Sequence, residues 1–254
     1  MATPAKPFCG PLLYIACFCS FLAMLIAFPT SQAQDKSNPI APTDAKRAQN
    51  LPKDINDSFL NPDLNVDEFV KRFEVESREV FASRHAILNS LQLDLGLAVA
   101  DVGAGTGLFI GPISKQVGSD GKVYAVDIAP NFVKHMRQRV KDEGLNNVEV
   151  VLSSAQDPNL KANSVDRILI CDVYHHFEYP EITMQALHRA LRADGKLIVV
   201  DFNRIEGKSR EWTLNHVRAG KEVFQQEIVA AGFKFEREIP VEGFQENYLL
   251  RFTK

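Results

Sequence analysis

The stretch Ala98-Val99-Ala100-Asp101-Val102-Gly103-Ala104-Gly105-Thr106-Gly107-Leu108-Phe109 limits what this chain can fold into more than any other. An apolar run closes on an acid, and a loop with glycine at every second position follows. Apolar residues then return at helical spacing through Phe109, Ile110, Ile113 and Val117. The pattern reads strand, tight loop, helix. Glycine admits positive φ and lets a ligand approach with no Cβ in the way. A helix start adds free backbone N–H groups and a positive dipole end. Together these predict a nucleotide-type site at the carboxyl end of a strand.

The rest of the chain repeats the alternation of strand and helix. Strands are predicted at 122–127, 148–152, 165–172 and 196–202, with helices at 131–143 and 181–191 between them. A helix runs to Ala231, and 233–239 with 248–253 read as a closing antiparallel pair. The succession predicts an α/β fold: a doubly wound, Rossmann-like, mostly parallel seven-stranded sheet with an antiparallel C-terminal strand pair. The net charge of −3 leaves no basic footprint, so nucleic acid is not an expected partner.

The first residues read differently. Lys6 precedes an apolar run at 12–28, and Ser31-Gln32-Ala33 offers the small residues of a signal-peptidase site. Residues 1–33 are therefore expected to be a secretory signal peptide, cleaved after Ala33. The alternative is an uncleaved membrane anchor, because the run is long. Once the leader is cleaved, no stable membrane association is expected. Residues 34–60, rich in Pro, Asn, Asp and Lys, read as a flexible linker, leaving 61–254 as the domain. Cys9, Cys17 and Cys19 lie in the leader, so only Cys171 would remain. That excludes an internal disulfide and a Cys-based zinc site in the mature chain.

The glycine spacing separates two ligand classes. A dinucleotide fingerprint wants G-x-G-x-x-G/A. Here Leu108 stands where the third small residue would be, and Asp101 stands two residues before the first glycine. D/E-x-G-x-G-x-G resembles motif I of the class I S-adenosylmethionine (SAM) dependent methyltransferases. Leu191-Arg192-Ala193-Asp194-Gly195-Lys196-Leu197 resembles the family's turn before its fifth strand, with Ala193 for Pro and Asp194 for Gly. Val173-Tyr174-His175-His176-Phe177 resembles motif IV. The resemblance covers about 94–254 and looks closest to the methyltransferase type 11 group and the quinone-biosynthesis C-methyltransferases.

The resemblance implies SAM as cofactor and a small-molecule acceptor. It assigns Asp101, Gly103, Ala104, Gly105 and Gly107 to the cofactor loop. Asp127, roughly 20 residues past the glycines, is placed to accept the ribose hydroxyls. Ile128 is expected on the adenine, and Ser154 and Ala155 at its edge, with Ser154 and Gln156 standing where the family usually has acids. Asp172 is expected at the methionine end. Helices before motif I often cap the pocket in this family, which brings Arg78, Arg84 and His85 into view.

Tyr174, His175 and His176 are the catalytic candidates, because imidazole titrates near neutrality and can take a proton from an acceptor. Adjacent histidines in an extended segment point to opposite sides, so no metal site is expected here. His216, Arg218 and Lys221 offer a basic start to the last helix. Two other classes stay open at this point: an NAD-linked oxidoreductase, and a SAM-binding protein without turnover. The leader keeps the second in play, since SAM is made in the cytoplasm.

Overall fold

The computed structural model describes residues 46–254. The expected leader and the first part of the expected linker lie outside the described residues. Four short helices come first: α1 (Asp57–Leu60), α2 (Val66–Phe73), α3 (Glu79–Ala82) and α4 (Arg84–Ser90). The alternating part follows as β1 (Ala98–Val102), α5 (Ile110–Val117), β2 (Lys122–Asp127), α6 (Pro130–Asp142), β3 (Val148–Leu152), β4 (Val165–Cys171), α7 (Pro180–Ala190) and β5 (Leu191–Phe202). α8 (Glu211–His216), α9 (Lys221–Ala230), β6 (Lys234–Glu238) and β7 (Asn247–Thr253) close the chain.

The strands form one seven-stranded sheet in the order β3-β2-β1-β4-β5-β7-β6. β1 to β5 pair in parallel, and β7 runs antiparallel to both of its neighbours. All five residues of β1 are buried, as a central parallel strand covered on both faces must be. Met184 and Leu187 of α7 pack with Phe224 and Ile228 of α9 in one core cluster. Ile87 and Leu88 of α4 pack with Ile113 and Val117 of α5 in another. Ile110 of α5 also meets Val133 and Met136 of α6. The strand order reverses between β1 and β4, which is where open α/β sheets leave a crevice for ligands.

Three expectations change. β5 begins at Leu191, where the helix was expected to end before a turn at 193–195: Leu191 is fully buried and pairs with Val165 before the register shifts. Residues 203–217, a polar stretch whose sequence reads as irregular, contain α8, which ends on His216. Residues 46–60, expected to belong to the flexible linker, are a strap held on the domain. Leu51 and Ile55 are buried, and Asn56 Nδ2 donates to His176 O at 3.2 Å and to Glu178 Oε1 at 3.1 Å. Two apolar side chains and one amide in an otherwise polar stretch are too little periodicity to read from sequence, yet enough to dock it.

Candidate active site

A cavity of about 820 Å³ opens at the carboxyl ends of β1, β2, β4 and β5. Every residue assigned from sequence to the cofactor or to catalysis lines it except Gly107 and Tyr174.

The three loop glycines do different work. Gly103 (φ +74°) lies under Val173: a Cβ there would come within 2.3 Å of Val173 Cγ1. Gly105 (φ +55°) faces open space, its would-be Cβ no nearer than 4.0 Å to Gly103 O and Phe73 Cε2. Gly107 (φ +84°) is off the cavity, with Ile110 Cδ1 2.9 Å from where a Cβ would sit. Gly107 thus packs against Ile110 and Met136 and does not line the cavity. Part of the free N–H cradle expected after the glycines is already spent. Gly103 and Ala104 N–H donate to Val126 O at 2.8 and 3.0 Å, and Gly105 N–H donates to Asp127 Oδ2 at 2.8 Å. The helix itself starts only at Ile110.

Three carboxylates converge above this loop. Asp127 Oδ1 accepts from Ala129 N–H at 2.8 Å, so its two oxygens brace both sides of the β2 end. Burial raises its pKa to about 6 against those backbone hydrogen bonds. Asp101 is buried, and its Oδ2 has no partner among the described residues. Burial, helped by the charge of Asp127, raises its pKa to about 7. Asp172 sits at φ +53° and accepts from Arg78 Nη2 at 2.6 Å and Asn247 Nδ2 at 2.7 Å. Burial raises its pKa while Arg78 pulls it back down. Ile128, Ser154 and Ala155 line the cavity, with Ser154 Oγ also accepting from Asp157 N–H at 3.0 Å. Gln156 lies off the cavity. So do Arg84, which pairs with Glu76, and His85, which is exposed.

The other end holds the histidines. Tyr174–His176 is a single 3-10 turn, not an extended segment. Its tight winding turns Tyr174 into the core, fully buried with its hydroxyl donating to Glu227 Oε2 at 3.0 Å. Tyr174 is therefore structural, and its pKa lies well above the usual range because the ring is buried beside Glu227. The same turn brings His175 and His176 together, ring centroids 4.2 Å apart, both on the cavity. His216, at the end of α8, joins them with Nε2 3.4 Å from His176 Nε2. Burial first, then the neighbouring histidines, hold His176 well below the usual imidazole range. Burial and His175 lower His216 to about 4. Both are neutral, weak bases near pH 7. Phe59, Phe202 and Trp212 wall the cluster, with Trp212 stacked on His216 at 4.6 Å and 22°. Arg218 is buried in a pair with Glu227, and Lys221 pairs with Glu238; neither reaches the cavity.

Two contributors escaped the sequence reading. Asp201, fully buried, accepts from His175 Nδ1 at 2.8 Å, from His175 N–H at 3.1 Å and from Phe202 N–H at 2.7 Å. Its signal was present: an acid ending an apolar strand, as at Asp101 and Asp127. Asn56, whose Oδ1 lies 3.2 Å from His176 Nδ1, comes from the strap and carries no such signal.

Known proteins bear on this geometry. Residues 100–199 match the Methyltransferase domain family. Aklanonic acid methyltransferase DauC of Streptomyces sp. (strain C5) is 34% identical over 74 residues, 29% of this chain and 34% of that protein. Ubiquinone/menaquinone biosynthesis C-methyltransferase UbiE of Escherichia fergusonii is 30% identical over 110 residues, 43% of this chain and 44% of that protein. The chain thus spans less than half the length of these curated relatives. The crystal structure of a SAM dependent methyltransferase from Aquifex aeolicus matches with TM-score 0.64 and 26% identity, over 74% of this chain and 97% of that one. Residues 100–199 thus match a methyltransferase domain, and the fold is similar to that of a SAM dependent methyltransferase. The cofactor that family and fold imply is SAM, which removes the oxidoreductase alternative. The residues of this methyltransferase domain fit that cofactor: a buried carboxylate oxygen of Asp101 lacks a partner, and open space stands over Gly105.

Proposed function

We propose that this chain is a SAM-dependent methyltransferase that acts outside the cytoplasm on a small, flat, conjugated acceptor. One observation carries the cofactor part. Asp101, Asp127 and Asp172 line one end of the cavity while the loop N–H groups of Gly103, Ala104 and Gly105 are already spent. Acidic walls suit a cationic ligand, whereas a pyrophosphate would meet carboxylates and too few donors. When bound, SAM supplies a methyl on a sulfonium, which takes the acceptor's electron pair while the carbon–sulfur pair returns to sulfur as a neutral thioether.

The chain's own residues hold and orient. Asp127 retains lone pairs beyond its two backbone bonds and can accept ribose hydroxyls. Ile128 and Ala155 offer apolar surface to an adenine, with Ser154 beside them. Arg78 and Asp172, already paired, can separate to take the carboxylate and ammonium of a methionyl tail. Phe59, Phe69, Phe202 and Trp212 line the remaining space and exclude water from it. Flat acceptors suit these rings, and the relatives above are named for aklanonic acid and quinone biosynthesis. His175 and His176 face that acceptor. Export rests on Lys6, the apolar run at 12–28 and Ser31-Gln32-Ala33.

Calorimetry of the full chain with SAM and with NAD tests the cofactor part. SAM is expected to bind and NAD to give no heat. Asp127→Ala is expected to weaken SAM binding by about 1–3 kcal/mol. Unchanged SAM affinity in that variant would remove Asp127 from the site. A screen of small quinols and phenols with methyl-labelled SAM then tests the acceptor class. Mass spectrometry of protein from the native host tests export, where a mature amino terminus at Gln34 is expected.

A further inference from the structure

His175, His176 and His216 each present one ring nitrogen to the same point, all within 4.8 Å of one another. We propose that these three histidines form a binding site for a divalent transition-metal ion of the zinc class, at the acceptor end of the cavity, with its remaining coordination position open to an oxygen donor of the acceptor. The site rests on geometry alone; its place in methyl transfer rests on the function proposed above.

Hydrogen bonds behind two of the rings set their tautomers. Asp201 Oδ1 already accepts from Phe202 N–H, so it also accepts from His175, which fixes the proton on His175 Nδ1. Asn56 Nδ2 donates to His176 O and to Glu178 Oε1, which leaves its Oδ1 as the acceptor and fixes the proton on His176 Nδ1. In both rings the outer partner strips Nε2 of its proton and turns a lone pair toward the cavity. A carboxylate or amide oxygen behind a histidine is how metal-ligating imidazoles are oriented and made more basic. His216 Nε2 faces His176 Nε2 at 3.4 Å. Two nitrogens bound at about 2.0–2.1 Å on a tetrahedral zinc stand about 3.3 Å apart, so this pair is already at ligand spacing.

The His175 nitrogen, held by Asp201 and within 4.8 Å of the other two, completes the set once His176 and His216 come up to about 1.5 Å closer to it, within the side-chain freedom of those two rings, one on the turn and one at the end of α8. Three neutral imidazoles and no thiolate match imidazole-preferring divalent ions, and three protein ligands leave a position open, as catalytic zinc sites do. The premise that argued against a metal from sequence was an extended segment. A 3-10 turn removes it, because successive residues there are not on opposite sides.

The test uses the full, untagged chain stripped of metal with a chelator. Zinc is titrated by calorimetry, and cobalt(II) is added separately to read the absorption bands of a four-coordinate ion. One equivalent of each is expected. H216A is expected to lose roughly 100-fold in zinc affinity and the cobalt bands. H216Q serves as a second variant that keeps the side chain's bulk. SAM affinity, measured on the same samples, reports that each variant is folded. Zinc affinity equal in parent, H216A and H216Q overturns the site. So does a parent that binds SAM but takes up no zinc, in which case the histidines act unaided on the acceptor's proton. Zinc bound at His216 with no SAM binding upholds the metal site and removes the proposed function.

Discussion

The two ends of the cavity are built in opposite ways. The cofactor loop is local: Asp101 lies in one strand, Gly103 and Gly105 follow it, and Asp127 ends the strand paired beside it, with Asp172, Arg78 and Asn247 the long-range addition. The histidine end is assembled: Asn56, His175, His176, Asp201 and His216 come from a strap, a 3-10 turn, a strand and the short helix α8. At the cofactor end, backbone geometry sets the site, so glycine and a bracing acid suffice. At the histidine end, side chains tens of residues apart must arrive together, so packing decides. The former can be written as a motif and the latter cannot.

The largest effect is expected where the two ends touch. Gly103→Ala places a Cβ 2.3 Å from Val173 Cγ1 at a φ of +74°. A clash with a branched side chain next to the histidine turn, added to left-handed strain, should cost about 3 kcal/mol or more and abolish SAM binding. Thermal denaturation and calorimetry check this. A double variant with Val173→Ala should recover part of the stability, since it removes the two Cγ contacts but leaves Val173 Cβ at 2.9 Å and the φ strain. Full additivity of the two changes would show that the ends are not coupled here.

Asp101→Asn sharpens the contrast at the cofactor end. Burial raises the Asp101 pKa from 3.8 to about 7 and that of Asp127 from 3.8 to about 6. An acid whose pKa rises on folding holds its proton more tightly when folded. Its contribution is fully present below about pH 4 and is lost as pH climbs through the folded value. Stability of the ligand-free chain should therefore fall between about pH 4 and 7. Asp101→Asn should flatten that fall, raise stability at pH 8 by about 1–2 kcal/mol, and weaken SAM binding. Melting curves across pH with and without SAM decide it. A variant that gains nothing at pH 8 would mean that Asp101 is solvated in the folded chain.

The smallest effect is expected from Asn56→Ala. It removes the amide that holds His176 O and faces His176 Nδ1, at a cost of about 1 kcal/mol. SAM affinity should stay within about twofold of the parent, because the strap serves only the histidine end. A large loss of SAM affinity would break the division between the two ends.

Asp101, Gly103, Gly105 and Asp127 were legible because each is fixed by its neighbours in the chain. A parallel strand must be apolar, its turn must admit positive φ, and the next strand must end in an acid close by. Gly107 was over-read for the same reason: spacing in a loop says which residues need glycine, not whether a ligand or Met136 is the cause. The histidines were found but their geometry was not. Val173-Tyr174-His175-His176-Phe177 carries no local signal that separates a 3-10 turn from an extended run. That choice turned Tyr174 into the core and brought the histidine pair onto one point.

The chain's own order thus determined the doubly wound sheet, the crevice at its switch point and the acidic cofactor loop, because strand, turn and helix periods are written in neighbouring residues. Only the tertiary structure decided which histidines meet, what lies behind them and that residues 46–60 are a strap, because those follow from burial and contact between segments far apart in sequence.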